Sequence, residues 1–284
     1  MILIKNIQLQ QLINLLLLIT VSYFNNQLQT NLTTILLLML FSGSLDLAIK
    51  QEIFIPYSAF ITALGVVLML GWLKWYIPYI AITFAILQKH YLKIDKKHIF
   101  NPSNFALIVA ILLFYPKALP IIGELGRTNF IIYFIIILGS IILIRVNRYL
   151  ISISFLTTYI ALTYFIIGNS DPSWNFSHFL DSLYSTSFIV YIFFMLTDPV
   201  TTPSNYLHQI IFGFTVAFTI IILDYLIGIR LWHQFLGLFI VSVFMTPLYR
   251  EFTIKDYTKF TVILLFLVII TIILSSKKAL YFSM

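Results

Sequence analysis

The sequence predicts an all-α fold, a polytopic membrane bundle of 10–11 transmembrane helices, and three observations carry that prediction. Of the 284 residues, 61% are hydrophobic and only 10% are charged, whereas soluble domains carry about a quarter charged residues. The apolar residues fall into runs long enough to cross a bilayer, whose hydrocarbon core of about 30 Å needs roughly 20 residues per helix. Between these runs sit the Lys and Arg residues, in the short connections where membrane proteins carry their topology signal. The net charge of +7 is read in that light, with lipid as the partner and no nucleic acid. The whole chain is expected to form one integral membrane domain, 1–284. It has no cysteine, which excludes disulfides, cysteine-ligated clusters and thioether-bound haem.

The expected crossings, in order, are 9–24, 31–49, 57–71, 75–91, 102–116, 129–146, 149–168, 182–197, 205–227, 231–247 and 258–275. The first follows Lys5 and leaves through Ser22-Tyr23-Phe24-Asn25-Asn26; a cleavable signal peptide wants small residues at that exit, so this run is expected to stay. The segments 57–71 and 102–116 are short, and prolines bound them: Pro56 before the first, Pro102 and Pro116 around the second. Likewise 182–197 stops before Pro199, and 231–247 stops at Pro247. Short, proline-bounded segments in matching positions of two halves point to broken helices around a central site.

Two sequence echoes support a duplicated unit. Tyr57-Ser58-Ala59-Phe60-Ile61 is answered by Tyr184-Ser185-Thr186-Ser187-Phe188-Ile189, and Phe105 to Val109, running on to Tyr115-Pro116, by Phe235 to Phe239, running on to Thr246-Pro247. Five crossings per copy turn the second copy upside down. The expected architecture is a five-plus-five inverted repeat, about 9–116 and about 129–247, with an extra C-terminal helix over 258–275. In an apolar chain of low variety, chance echoes are the alternative.

Alternation of sides gathers Lys5, Lys50, Lys89, Lys93, Lys96, Lys97, Arg145, Arg148, Arg250, Lys255 and Lys259 on one face, against Lys74, Lys117, Arg127, Arg230, Lys277 and Lys278 on the other. The richer face is expected to be cytoplasmic. That puts the N-terminus in the cytoplasm of a multi-pass protein of the inner, cytoplasmic membrane.

Two polar turns are candidates for a site. In Phe100-Asn101-Pro102-Ser103-Asn104, Asn101 stands at a helix N-cap with Pro102 at the first helical position, and free N–H groups there suit a phosphate or an electron-rich ring edge. The bland alternative is capping alone. The second turn, Leu196-Thr197-Asp198-Pro199-Val200-Thr201-Thr202-Pro203, falls on the same side, so the two are expected to meet; the alternative is an ordinary polar loop capped by Asp198. Candidate binding residues are Asn101, Pro102, Ser103, Asn104, Thr197, Asp198, Pro199 and Thr201. Asp46 and Asp224 lie inside crossings and are read as interfacial, Asp224 pairing with Arg230. Of the histidines at 90, 98, 178, 208 and 233, four lie in or beside loops, which gives no facing pair for haem. No metal-ligand spacing, nucleophile–base arrangement or phosphate loop is visible, so no catalytic or metal residue is expected.

The order Ser58-Ala59-Phe60-Ile61-Thr62-Ala63-Leu64, Lys89-His90, Phe100-Asn101-Pro102, Tyr115-Pro116 and Thr197-Asp198-Pro199-Val200-Thr201 resembles the RnfD/NqrB family of membrane subunits, over roughly residues 55–247. Within it, Asn101-Pro102-Ser103-Asn104 and Leu196 to Pro203 look more like the stand-alone branch found with enediyne biosynthesis genes. The resemblance implies a ten-helix core with inverted repeats similar to urea and ammonium channels, electron transport with flavin as carrier, and other membrane subunits of an electron-transport complex as partners. In the family FMN is esterified to a threonine of an [ST]-G-A-T motif between the fifth and sixth crossings. Here that loop, Lys117 to Thr128, has Thr128 as its only threonine and Leu125-Gly126-Arg127-Thr128 in place of the motif. The expectation is therefore an electron-transport subunit with FMN or riboflavin held non-covalently. A non-redox permease or membrane scaffold for a biosynthetic pathway is the alternative.

Overall fold

A computed structural model of the chain describes residues 6–251 apart from 29, 122, 123, 127 and 171–174, with 253, 256, 258, 261 and 262 beyond them. The expected crossing over 258–275 falls almost wholly outside the described residues. The ten earlier ones appear as helices: α1 Ile7–Phe24, α2 Leu32–Lys50, α3 Tyr57–Met69, α4 Tyr76–Tyr91, α5 Pro102–Phe114, α6 Asn129–Val146, α7 Tyr149–Ile167, α9 Thr186–Met195, α10 Tyr206–Ile227 and α11 His233–Tyr249, with a short α8 over Phe176–Leu183.

Asparagines start several of them. The side chains of Asn6, Asn31, Asn101 and Asn205 each accept a backbone N–H from the first turn that follows, relieving one of the donors a helix start leaves orphaned. Asn147, in the left-handed region at φ 53°, ends α6, and Gln51 does the same for α2.

Helices α1, α2, α6, α7 and α10 are long and apolar enough to cross a membrane. Their outward faces are as apolar as their inward ones: Leu36, Leu37 and Leu40 of α2 and Phe130, Tyr133 and Ile137 of α6 are exposed. A helix apolar all round belongs in lipid, and the chain is a multi-pass membrane protein built as an all-α bundle.

The short helices behave differently. Helices α3 and α5, each of 13 residues, span about 20 Å at 1.5 Å per residue and leave the bundle as strands. After α3 comes β1, Leu70–Trp72; β2 (Lys93–Ile94) and β3 (Lys97–His98) form a hairpin before α5; after α5 comes β4, Ala118–Pro120. β1 and β4 pair antiparallel, Gly71 opposite Leu119, which satisfies the backbone groups that irregular chain at membrane depth exposes.

Two boundaries differ from expectation. The run 182–197 is not one helix: α8 stops at Leu183, Ser185 caps α9 with its hydroxyl accepting the Phe188 N–H, and the last turn, Tyr191–Met195, is π-helical. The other is Pro247, which lies inside α11 rather than ending it. Proline at 247 leaves the Val243 carbonyl without its helical donor, tolerable so close to the end of a helix.

The same neighbours recur in both halves. Helix α4 packs on α2 and α5, as α10 packs on α7 and α11; α1 packs on α3, as α6 packs on α9. The halves meet through α1 against α6 and α5 against α11. The α7–α10 approach is intimate because Gly213 has no Cβ; one placed there would lie 2.4 Å from the Ile151 carbonyl oxygen. One end of the bundle, called the corner end below, holds the starts of α3 and α5 and the finishes of α9 and α11.

Candidate functional site

The two polar turns meet. Asn101 Nδ2 donates to Asp198 Oδ2 at 3.3 Å and to the Met195 carbonyl at 3.4 Å, while Asn101 Oδ1 accepts the Asn104 N–H that begins α5. One amide thus caps its own helix and ties that helix to the finish of α9. The other Asp198 oxygen accepts the Val200 N–H at 3.0 Å, and the His98 imidazole stands 3.8 Å away. Burial pushes the Asp198 carboxyl up, but His98 and the Val200 amide outweigh it and hold the group below its usual value.

Two buried arginines set the turn from outside. Arg250, just past α11, donates to the carbonyls of Lys97 and His98 at 3.0 Å and, from its other terminal nitrogen, to the Val200 carbonyl at 2.7 Å. Its planar fork bridges the β2–β3 hairpin and the Asp-Pro turn, which a lysine cannot copy. Arg148 reaches Thr202 Oγ1 at 3.3 Å, and Tyr249 donates to the Thr201 carbonyl at 2.8 Å. The turn that carries Asp198 is thus tied to its surroundings by Arg148, Tyr249 and Arg250.

Not all eight candidate residues face the same space. Asn101, Pro102, Ser103, Asp198 and Pro199 line a cavity of about 100 Å³ that runs inward from the corner end. Asn104 points the other way and donates to the Phe235 carbonyl at 3.1 Å, which fastens α5 to α11. There Phe239 stacks on Phe100, centroids 4.4 Å apart, and meets Phe105 at 5.9 Å, so the two echoing apolar runs pack together. Thr197 bonds within its own helix to the Phe193 carbonyl, and the Thr201 hydroxyl turns back to the Asp198 carbonyl. These three hold shape rather than line space. Ser103 does both, donating to the Thr62 carbonyl at 3.2 Å.

Sequence reasoning missed several lining residues, among them Gln8 and Gln11 of α1, Ser58, Thr62 and Gly65 of α3, and His98. The signal was present in the spacing Ser58, Thr62, Gly65, which puts three small residues on one helical face.

The two carboxylates within the helices have partners that sequence reasoning missed. Asp46 is 1% exposed and held by Lys89 Nζ, 3.2 Å from both oxygens, and by His90 Nε2 at 2.5 Å. Asp224 pairs with His233 Nδ1 at 2.6 Å, and from Arg230 it takes only the backbone N–H. Both carboxylates escape the cost of burial through a partner on another helix. No group of three metal-ligating side chains occurs among the described residues.

The cavity at the two turns holds about 100 Å³. Sites for drug-sized ligands enclose about 300 Å³ or more, three times the volume present. In the loop before α6, Thr128 is the N-cap residue and makes no side-chain capping bond; Arg127 lies outside the described residues.

Residues 118–259, half of the chain, match the NQR2, RnfD, RnfE family. The Asp-Pro turn falls inside the match and the Asn-Pro turn precedes it. The match reaches the family and not a branch within it, so the likeness to enediyne-associated members has no further support. Among curated proteins none matches the chain.

Proposed function

Because the chain belongs to the NQR2, RnfD, RnfE family, we propose that it serves as a membrane-embedded subunit of a multi-subunit electron-transport complex, whose core is a five-plus-five inverted repeat. The observation that carries this reading beyond the family is the hydrogen bond joining Asn101 to Asp198. It locks the Asn-Pro and Asp-Pro turns, the motifs by which the sequence resembles that family, into one unit. The recurrence of the same helix neighbours in residues 7–114 and 129–249 supports the repeat.

The corner end carries Lys50, Lys89, Lys93, Lys96, Lys97, Arg145, Arg148 and Arg250 among the described residues, against Lys74, Lys117 and Arg230 at the far end. In our reading this bias sets the corner end in the cytoplasm of an inner membrane. The contribution of the chain is to hold the joined turns at that end of the bundle, against which partner subunits dock. The FMN or riboflavin expected from the sequence is not used in this reading of the corner cavity.

The small cavity favours one other reading, a permease without redox chemistry. Isolation of the tagged chain from native membranes in mild detergent separates the two. Co-purification with other membrane subunits that carry redox groups supports the electron-transport reading. A chain recovered alone and colourless, from membranes in which such subunits are intact, contradicts it.

A further inference from the structure

Both carboxylates within the helices pair with a histidine, but a lysine pins only the first of them. Asp46 holds Lys89 Nζ as well as His90, so its charge is matched whatever the imidazole does. Asp224 accepts from His233 Nδ1 at 2.6 Å and from the Arg230 backbone N–H at 3.3 Å. The Arg230 side chain is exposed, so the cation that can sit against Asp224 is a protonated His233. Whether this carboxylate is matched thus depends on the state of its own partner.

The other edge of that imidazole is open. His233 is 0% exposed, and its Nε2 has no hydrogen-bond partner among the described residues. Two more buried polar atoms nearby are in the same condition, Thr163 Oγ1 and Ser187 Oγ, each on a residue 5% exposed. Thr163 stands on α7 one turn beyond Tyr159, which lies within reach of the Asp224 charge. Helices α7 and α10 run side by side, Gly213 abutting the backbone of Ile151 and Phe155, and counting along both from there brings Asp224 level with Thr163. Ser187 stands on α9 one turn before Tyr191, whose hydroxyl donates to the Gln234 carbonyl next to His233 at 3.0 Å.

Hydroxyls and water are the partners that suit a nitrogen which gains and loses a proton. With Nδ1–H on Asp224, a neutral imidazole presents Nε2 as an acceptor, and a protonated one presents it as a donor. A carbonyl or an amide fixed at Nε2 would favour one form; a hydroxyl, or a water held between hydroxyls, serves both. The other titratable groups facing the pair among the described residues are Tyr159 of α7, Tyr191 of α9 and Arg230 of the loop; α5, which packs on α11, brings none. The helix start at His233 works against a cation, and the Asp224 carboxylate offsets it. Residues Gly228–Leu231, which join the two helices beside the pair, are exposed at the far end. We propose that Asp224 and His233 form a proton-binding site loaded from the far end, with His233 Nε2 joined to the Thr163 and Ser187 hydroxyls through ordered water. Uptake moves one proton from a hydronium to Nε2, releases a water and leaves an imidazolium paired with the carboxylate.

Trp232 reports on the ring beside it. Its indole meets the His233 imidazole edge-on, centroids 4.5 Å apart, and an imidazolium at that range quenches indole emission. In the full chain with Trp72, Trp75 and Trp174 replaced by Phe, purified in mild detergent, emission should fall in one reversible step as the pH is lowered from about 9 to about 5, the range in which a histidine switches. His233→Gln should abolish the step. Asp224→Asn should bind the proton at least about tenfold more weakly, the effect of losing an adjacent opposite charge, and Thr163→Val combined with Ser187→Ala, which leaves the pair intact, should weaken binding as well. In proteoliposomes, the share of emission that answers an external pH jump at once should match the share of Ile229→Cys chains labelled from outside by a membrane-impermeant thiol reagent. Flat emission, or the same step in a folded His233→Gln chain, overturns the site. An unmoved step in Asp224→Asn or in the hydroxyl variant overturns the arrangement proposed for it, and a prompt response confined to the unlabelled share overturns loading from the far end. Redox partners play no part in these readouts, so they stand or fall apart from the electron-transport reading.

Discussion

The Asn101 amide donates to the Asp198 carboxylate at 3.3 Å across 97 positions of sequence. This bond joins the start of a helix in the first half to the finish of a helix in the second. The same carboxylate accepts the Val200 N–H, so its loss leaves donors on both turns without an acceptor. Each stranded buried donor costs about 1–3 kcal/mol. Asp198→Ala is expected to lower stability by roughly 3 kcal/mol in a denaturation series in mild detergent, and Asp198→Asn by less.

Acid should act at the same bond. His98 and the Val200 amide hold the Asp198 carboxyl below its usual value, so its contribution to stability is complete above about pH 4, the ordinary aspartate range. It is lost as the pH falls through the lower folded value. The melting temperature of the native chain should therefore drop more steeply below about pH 4 than that of Asp198→Asn, measured side by side. Parallel curves would remove Asp198 as the source.

Arg250 ties the β2–β3 hairpin to the Asp-Pro turn, binding the carbonyls of Lys97, His98 and Val200. Arg250→Lys keeps the charge and loses the fork; Arg250→Met keeps the stem and loses both. Expected costs are about 2 kcal/mol for the first and about 4 kcal/mol for the second, since charged hydrogen bonds are worth roughly 1.5–3 kcal/mol each. Limited proteolysis within the β2–β3 hairpin should rise in the same order.

Much of this architecture was legible before the coordinates. The ten helices expected within 9–247 were marked by apolar runs between asparagine caps and prolines, and the two turns stood out as the places where Asn, Asp and Pro interrupt those runs. What stayed hidden depends on partners distant in sequence. Nothing local tells Asp46 that Lys89, 43 positions on, will reach it, and a carboxylate near a helix end reads the same whether paired or wet. The break at Ser185 was hidden because a short Ser185-Thr186-Ser187 run between apolar residues reads equally well as the polar face of a continuous helix; only the hydroxyl bond to the Phe188 N–H makes it a start rather than a middle. The cavity face of α3, Ser58, Thr62 and Gly65, repeats at helical spacing, but small residues at that spacing serve tight packing just as well.

Gly65 shows how close that packing is. A Cβ there would lie 2.3 Å from Ser103 Oγ, so Gly65→Ala should force α3 and α5 apart or turn the Ser103 hydroxyl away from Thr62. Overpacking of this kind costs about 1–3 kcal/mol. Adding Ser103→Gly clears the clash and should restore part of the loss; no recovery would mean that α3 and α5 are not in contact at this point.

The claim on which the rest depends is that the Asn-Pro and Asp-Pro turns form one unit, and a double-mutant cycle on Asn101 and Asp198 measures it. Stability of Asn101→Ala, Asp198→Ala and the double variant, followed in the same detergent, should show a coupling of roughly 1 kcal/mol or more, within the range found for residues in contact. Strict additivity of the two single losses would mean that the turns stand apart, and would contradict the account.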